Sequence, residues 1–224
     1  MAPLEIYYYK GYARGPVILD FDGVLVDASH CWSRVIRAMF ARYGYDYNDA
    51  HNARLFGHHP TLIGSLLADT LGRPELAATL GAEAMARGLE EVSKGVNRIP
   101  GAIDLVYELY GRRALAVASN TPHHVVEQAL KRTGMLEAFS FVVGSDDVMY
   151  PKPAPDVYVK ACELLGSPVG AATAIEDSVP GVRSAHSAGV YVIAVSTQDR
   201  VQSAADESYG SLYDPALHAR LMMS

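Results

Sequence analysis

Five short apolar runs, separated by stretches with helical patterns, limit how this chain can fold more than anything else in its sequence. They occupy residues 17–19, 114–118, 139–143, 172–175 and 190–195. Runs of this length, rich in Val, Ile, Ala or Phe, are typical of strands buried in a parallel sheet. Strands that alternate with helices predict an α/β fold, a three-layer, doubly wound parallel sheet with helices on both faces.

Proline and glycine mark the ends of the helices between these runs. In the segments 122–134, 155–166 and 180–189, a proline stands near the first turn and a glycine follows the last. Proline fits the first turn because its missing N–H has no partner there, and glycine fits the residue after a helix. A further helix is predicted over 102–110. The tail from about residue 203 is weakly patterned, and no element is assigned to it.

The alternation of strands and helices is interrupted once, after the first strand. From Ser29 onward, apolar residues recur at helical spacing and indicate one buried helix face. These residues are Trp32, Val35, Ile36, Met39, Phe40 and Tyr43. Two more helices are expected over 61–71 and 74–92, and no convincing strand is found between residue 27 and about residue 96.

This interruption divides the chain into two predicted domains. Residues 1–27 and 97–224 form the α/β core, and residues 28–96 form an inserted α-helical cap domain. Ligands of open parallel sheets bind at the carboxyl ends of the strands. A helical insertion after the first strand is therefore a candidate lid over that edge.

The composition excludes several classes of protein. The chain has 224 residues, half of them hydrophobic, which is enough for a sizeable core and excludes disorder. Its net charge of −6 argues against a nucleic-acid partner. No apolar run reaches the roughly 18 residues that a membrane helix needs, and the first residues do not resemble a secretory signal. We therefore expect a cytoplasmic protein, with Cys31 and Cys162 as reduced thiols.

Two carboxylates follow the first predicted strand, in the segment Asp20-Phe21-Asp22-Gly23. Side chains two residues apart at a strand end can point into one cleft, where one can attack a substrate while the other moves protons. The alternative is a loop in which an aspartate caps the next helix.

Two further segments have groups that suit an anion. Ser119-Asn120 offers a hydroxyl and backbone N–H groups at a helix start, which together can cradle an anion, although a simple helix cap uses the same residues. Lys152 stands between Pro151 and Pro153, which restrict its backbone on both sides. Such a lysine suits the neutralisation of a phosphate, and the alternative is a solvated surface turn.

The last segment is Glu176-Asp177, directly after an apolar run. Adjacent carboxylates at a buried strand end repel each other unless a cation or hydrogen bonds compensate. Ligand sets made only of oxygen favour Mg²⁺ over zinc. A capping acid before the following helix is the alternative.

Taken together, the order and strand-end placement of these segments resemble the four motifs of the haloacid dehalogenase (HAD) superfamily of phosphohydrolases. The matching positions are Asp20 with Asp22, Ser119, Lys152, and Glu176 with Asp177. The helical insertion resembles the subgroup that includes phosphoglycolate phosphatase and β-phosphoglucomutase. The resemblance covers residues 16 to 197 and implies a HAD-like, Rossmann-like core whose five strands are ordered 5-4-1-2-3.

The resemblance implies a role for each motif residue. Asp20 is expected to attack phosphorus and form an aspartyl-phosphate. Asp22 is expected to be the general acid and base, which requires a raised pKa. Ser119, the Asn120 backbone and Lys152 are expected to bind the phosphoryl oxygens. The implied metal is Mg²⁺, held by Asp20, the Asp22 backbone carbonyl and Asp177, with Glu176 close by.

The expected function is Mg²⁺-dependent hydrolysis of a small-molecule phosphate monoester, by a monomer or homodimer. Asp22 argues against a dehalogenase, because dehalogenases of this superfamily lack that second aspartate. A phosphosugar mutase stays open, although Pro60 stands where β-phosphoglucomutase-like proteins carry a phosphate-binding arginine. A non-catalytic protein that binds small phosphorylated molecules also stays open.

The insertion contains one further candidate, the pair His58 and His59 in the loop before Pro60. These imidazoles are candidates for selecting the leaving group of the substrate. A polar loop before a helix is the alternative, and metal binding by the pair is not expected, because no further ligands are identified.

Overall fold

The structure is a computed structural model that describes residues 14–48 and 61–223. The chain divides into two compact units, one formed by Met1–Asp27 with Asn97–Ser224 and the other by Ala28–Val96. Each unit has an apolar core of its own. Among the described residues, no helix is long and apolar enough to cross a membrane.

A six-stranded parallel sheet forms the centre of the first unit. Numbered in chain order, the strands of the protein are β1 (Val17–Leu19), β2 (Val26–Asp27), β3 (Asn97–Arg98), β4 (Leu115–Ala118), β5 (Phe141–Val143), β6 (Thr173–Glu176), β7 (Tyr191–Val195) and β8 (Glu207–Tyr209). The order across the sheet is β5-β4-β1-β6-β7-β8. The five strands predicted from the sequence therefore have the expected order, with β1 between β4 and β6. The short β2 and β3 pair separately and antiparallel.

Helices of the first unit flank this sheet, as the fold class predicts. The helices of the protein are α1 (Ser29–Arg42), α2 (Thr61–Thr70), α3 (Ala77–Lys94), α4 (Ala102–Leu109), α5 (His123–Thr133), α6 (Asp156–Leu165), α7 (Val179–Ala188), α8 (Asp199–Gln202) and α9 (Pro215–Met223). Helix α6 packs against β4, β5 and α7, and α7 packs against β6 and β7. The three-layer α/β architecture is thus confirmed.

The central strands are buried because helices cover the sheet. Ile18 pairs in register with Ala116 on one side and Ala174 on the other, and all three are completely buried. Strands buried on both faces have no need of alternating polar residues, which explains why they read as continuous apolar runs.

Every regular element of the second unit, among its described residues, is a helix. Most of the α1 face predicted from helical spacing is buried, with Val35, Ile36, Met39 and Phe40 in the core of this unit and the partly buried Trp32 packed against it. The prediction is wrong for Tyr43, which follows the last residue of α1 and is exposed. Helices α1 and α2 pack against α3. The role of this unit as a cap stays a prediction, and His58, His59 and Pro60 lie outside the described residues.

The C-terminal tail, to which the sequence analysis assigns no element, forms β8 and α9. Apolar burial and polar contacts both hold it in place, and Leu217 and Leu221 of α9 are completely buried. The buried Arg113 side chain donates hydrogen bonds to the carbonyl oxygens of Gly15 and Leu221, the latter at 2.7 Å. Arg220 of α9 donates to the Glu207 carboxylate of β8 at 2.8 Å. Such pairs join residues far apart in sequence, so apolar periodicity could not predict them.

Candidate active site

The candidate site lies at the carboxyl edge of the sheet, within the first unit. Asp20 directly follows β1, Ser119 directly follows β4, and Glu176 is the last residue of β6. Strands β4, β1 and β6 are parallel neighbours, so their carboxyl ends meet at one edge. The topology thus brings together three residues that are 57 to 156 positions apart along the chain.

A buried lysine connects two of these strand ends. Lys152 Nζ lies 2.5 Å from Asp20 Oδ1 and 2.5 Å from Glu176 Oε1. The side chains of Lys152, Asp20 and Glu176 are only 4%, 10% and 0% exposed. One ammonium therefore bridges two buried carboxylates and offsets part of their negative charge. Lys152 is not a solvated surface residue, which excludes the alternative interpretation of its proline-rich turn.

Tyr158 of α6 also belongs to this cluster, and the sequence analysis did not identify it. Its hydroxyl donates to Glu176 Oε1 at 2.6 Å, and the Lys152 ammonium lies 5.0 Å from the centre of its ring. The side chain is completely buried. A buried tyrosine requires a partner for its hydroxyl. Its place on the apolar face of a helix that follows Lys152 was the only available signal.

The second oxygen of Glu176 is held by the beginning of α7. Glu176 Oε2 accepts hydrogen bonds from the Asp177 backbone N–H at 3.2 Å and from Ser178 Oγ at 3.3 Å. Ser178 is the N-cap of α7, and its Oγ accepts from Gly181 N. Both oxygens of this carboxylate are thus hydrogen-bonded within the protein, as a buried charge requires.

Gly181→Ala is expected to disturb this arrangement, because a Cβ at position 181 would collide with all three heavy atoms of the Glu176 carboxyl group. Overpacking of this kind costs about 1–3 kcal/mol in the free energy of unfolding. Urea unfolding measures that loss. Gly170→Ala is the matched control, because a Cβ there meets nothing within 4 Å. Equal stability of the two variants would contradict the close packing of the Glu176 carboxylate against Gly181.

Asp177 follows Glu176 and lies against the turn after β1. Gly23 has a φ of +98°, which L side chains rarely adopt, and a Cβ there would collide with the Asp177 carboxylate. The turn therefore requires glycine at position 23 for two independent reasons, and it brings Asp177 close to the Asp20 segment.

The electrostatics of the cluster show an excess of negative charge. Burial, assisted by the neighbouring carboxylates, raises the pKa of Asp20 to about 7 and that of Asp177 to about 8. Burial lowers the pKa of Lys152, but Asp20 and Glu176 outweigh that effect and raise it to about 12. Lys152 thus stays charged, and a single ammonium leaves the other carboxylates uncompensated.

The residues present fit a hard divalent cation. Asp20, Glu176 and Asp177 each offer a carboxylate oxygen, and these atoms all lie within 4.8 Å of one another. Oxygen ligands of this kind are those that Mg²⁺ prefers. A dication at this point would also offset the repulsion among the carboxylates, which adds to the effect of burial in raising the pKa values of Asp20 and Asp177.

Asp22 is exposed, and its negative charge contributes to the raised pKa values of Asp20 and Asp177. Its carboxylate therefore acts electrostatically on the cluster. The predicted roles of Asp22, as general acid and base and as a ligand through its backbone carbonyl, stay predictions.

Ser119 and Asn120 lie beside the cluster. Ser119 is buried, and its Oγ accepts a hydrogen bond from Thr121 N at 3.0 Å. The Asn120 side chain hydrogen-bonds to the backbone of Lys152, a contact that the sequence did not predict. Phosphate binding by Ser119, the Asn120 backbone and Lys152 stays a prediction, as does leaving-group selection by His58 and His59.

A doubly wound parallel sheet with a buried acidic cluster at its carboxyl edge defines an α/β enzyme with its site at the topological switch point. Residues 17–195 match the haloacid dehalogenase-like hydrolase family. This match spans most of the chain and all four segments of the site, and the chain belongs to that family. The resemblance predicted from the motifs is therefore confirmed.

Known relatives of the chain include several phosphatases. A bifunctional riboflavin kinase/FMN phosphatase from Arabidopsis thaliana is 29% identical over 88% of this chain and 53% of its own length, so the chain spans about half of that relative. Validoxylamine A 7'-phosphate phosphatase from Streptomyces hygroscopicus subsp. limoneus is 28% identical over 84% of this chain and 89% of its own length.

Solved structures agree at the level of the fold. A HAD hydrolase of family IA, variant 3, from Entamoeba histolytica has a TM-score of 0.75 and 20% identity, and the alignment covers 94% of this chain and all of that one. The family match and the phosphatases among the relatives confirm the predicted enzyme class, a phosphoric monoester hydrolase of the HAD type.

Proposed function

We propose that this protein hydrolyses a small-molecule phosphate monoester with the help of Mg²⁺, through an aspartyl-phosphate on Asp20. One observation carries the proposal. Asp20 directly follows the central strand β1 and lies in a buried group that combines the cation Lys152 with carboxylates suited to a metal. The chain that carries this group belongs to the HAD-like hydrolase family.

The proposed reaction has two steps on Asp20. A carboxylate oxygen of Asp20 forms a bond to phosphorus while the bond from phosphorus to the leaving oxygen breaks, and Asp22 gives that oxygen its proton. Asp22 then takes a proton from water, whose oxygen attacks phosphorus, and the bond between phosphorus and Asp20 breaks. The products are an alcohol and inorganic phosphate, and Asp20 is regenerated.

Charge is the main obstacle to this attack, because an anion approaches an anion. The contacts of Lys152 with Asp20 and Glu176 keep its ammonium at the nucleophile, where it can neutralise phosphoryl oxygens. Asp20, Asp177 and the Asp22 backbone carbonyl would hold the metal, with Glu176 close by. The Mg²⁺ ion would screen the negative charge and orient the phosphoryl group.

The proposed substrates are small phosphorylated organic molecules. The relatives named above are phosphatases whose names specify FMN and validoxylamine A 7'-phosphate, which are compounds of this kind. We propose that residues 28–96 act as a cap that selects the leaving group and excludes water.

Removal of the metal is expected to abolish activity. Phosphate release from a panel of sugar phosphates, phosphoglycolate and nucleotides is measured for the purified protein with Mg²⁺ and with EDTA. Release should fall to background in EDTA and return when excess Mg²⁺ is added, because the clustered carboxylates repel the phosphate without it. Undiminished release in EDTA would contradict the proposed metal dependence.

Three further measurements on the purified protein separate the alternative functions. Turnover only after addition of a sugar bisphosphate would identify a phosphosugar mutase. Halide release from a haloacid without Mg²⁺ would identify a dehalogenase. Binding of phosphorylated compounds without turnover would identify a non-catalytic protein.

A further inference from the structure

Asn120 holds the backbone of Lys152 through its side chain. The Lys152 N–H donates to Asn120 Oδ1 at 2.7 Å, and Asn120 Nδ2 donates to the Lys152 carbonyl oxygen at 3.1 Å. One carboxamide therefore pairs with both backbone polar groups of a residue that is 32 positions away in the chain.

The two prolines beside Lys152 limit the number of backbone donors in this loop. Pro151 and Pro153 have no backbone N–H, so Lys152 supplies the only backbone donor of the three residues. That donor is the one that Asn120 accepts. In a helix or strand, other backbone groups would hydrogen-bond to the N–H and the carbonyl oxygen of such a residue. Here the Asn120 carboxamide does so.

The ammonium end of Lys152 is held independently, by Asp20 and Glu176. Four flexible methylene groups separate this end from the backbone. When a phosphoryl group draws the ammonium away from the carboxylates, the position of the backbone determines how far Nζ can reach. The two hydrogen bonds between the Asn120 side chain and the Lys152 backbone set that position.

We propose that the Asn120 side chain is a positioning residue for Lys152, in addition to the predicted contact of its backbone with phosphate. The inference rests on the proposed function, because it takes Lys152 as the cation that neutralises the transferring phosphoryl group. Asn120 acts through Lys152 and joins the loop after β4 to the loop before α6.

The test compares Asn120→Ala and Asn120→Asp with wild type. Alanine removes both hydrogen bonds, whereas aspartate keeps the acceptor but places a second carboxylate oxygen beside the Lys152 carbonyl oxygen. Displacement of a catalytic group by about 1 Å can cost about a hundredfold in rate, so kcat should fall between about tenfold and a hundredfold in both variants. Gln128→Ala and Gln128→Glu, at an exposed position of α5, are matched controls expected within about twofold of wild type.

A second measurement does not depend on activity. Acetylation of Lys152 by an amine-reactive reagent is followed by mass spectrometry, with the exposed Lys131 as internal reference. In wild type the Lys152 side chain is 4% exposed and should react slowly. Loss of the two Asn120 hydrogen bonds in Asn120→Ala should accelerate the labelling of Lys152 several-fold relative to Lys131. Circular dichroism confirms that each variant is folded.

The outcomes are distinguishable. An unchanged labelling rate in folded Asn120→Ala, or a kcat within twofold of an active wild type, would overturn the positioning role. A wild type that hydrolyses no ester would instead overturn the proposed function, and the labelling comparison would still decide whether Asn120 holds Lys152.

Discussion

Asp20→Asn is expected to reduce phosphate release by about 10⁴-fold or more, the scale on which enzymes lose activity when a nucleophile is removed. The amide has nearly the same size as the carboxylate, but it is neutral and cannot form the aspartyl-phosphate. It also removes one of the two charges that hold the Lys152 ammonium. Phosphate release with the best substrate of the panel, in excess Mg²⁺, is the measurement.

Asp199→Asn is the matched control for this variant. Asp199 is exposed in α8, and its amide variant should keep activity within about twofold of wild type. Thermal unfolding of both variants shows whether they are folded at the assay temperature. Activity that survives Asp20→Asn in folded protein would remove Asp20 as the nucleophile, and with it the proposed two-step mechanism.

Lys152→Met is expected to have the largest effect on stability. It leaves the carboxylates of Asp20 and Glu176 buried without their common cation, and removal of one partner of a buried ion pair costs about 3–5 kcal/mol. Methionine retains most of the length of the side chain, so lost packing is a minor contribution. Urea unfolding in the absence of metal measures the change in the free energy of unfolding.

Two companion variants make this prediction specific to charge. Lys131→Met changes an exposed lysine of α5 and should alter stability by less than about 0.5 kcal/mol. Combining Lys152→Met with Glu176→Gln removes one of the uncompensated carboxylates and should restore part of the lost stability. A loss below about 1 kcal/mol for Lys152→Met would contradict the stabilisation of the buried Asp20 and Glu176 carboxylates by Lys152.

The main elements of the fold could be predicted because the signals are local. The apolar runs correspond to β1, β4, β5, β6 and β7, and proline and glycine mark helix ends close to those observed. β8 and α9 were not predicted, since the tail is weakly patterned and its polar contacts, such as those with Arg113, join residues far apart in sequence. The order of the strands came from the family resemblance and agrees with the structure.

The residues of the candidate site could be predicted from the sequence more fully than the contacts between them. Asp20, Lys152, Glu176 and Asp177 were identified from residue type and position, and the structure brings them together. The contact of Tyr158 with Glu176 was not predicted, because nothing in a helical pattern shows which buried group a hydroxyl will meet.

By itself, the sequence determined which reactive side chains the protein has and which predicted strands they follow. It could do so because apolar periodicity, the proline and glycine at helix ends, and residue type are local properties. Only the tertiary structure decided which of these groups touch. It placed Lys152 between two carboxylates, made Glu176 its fully hydrogen-bonded counter-ion, and set the Asn120 carboxamide on the Lys152 backbone. The physical reason is that each contact joins distant segments. The parallel sheet places β4, β1 and β6 side by side, and the loop between β5 and α6 brings Lys152 to their carboxyl ends.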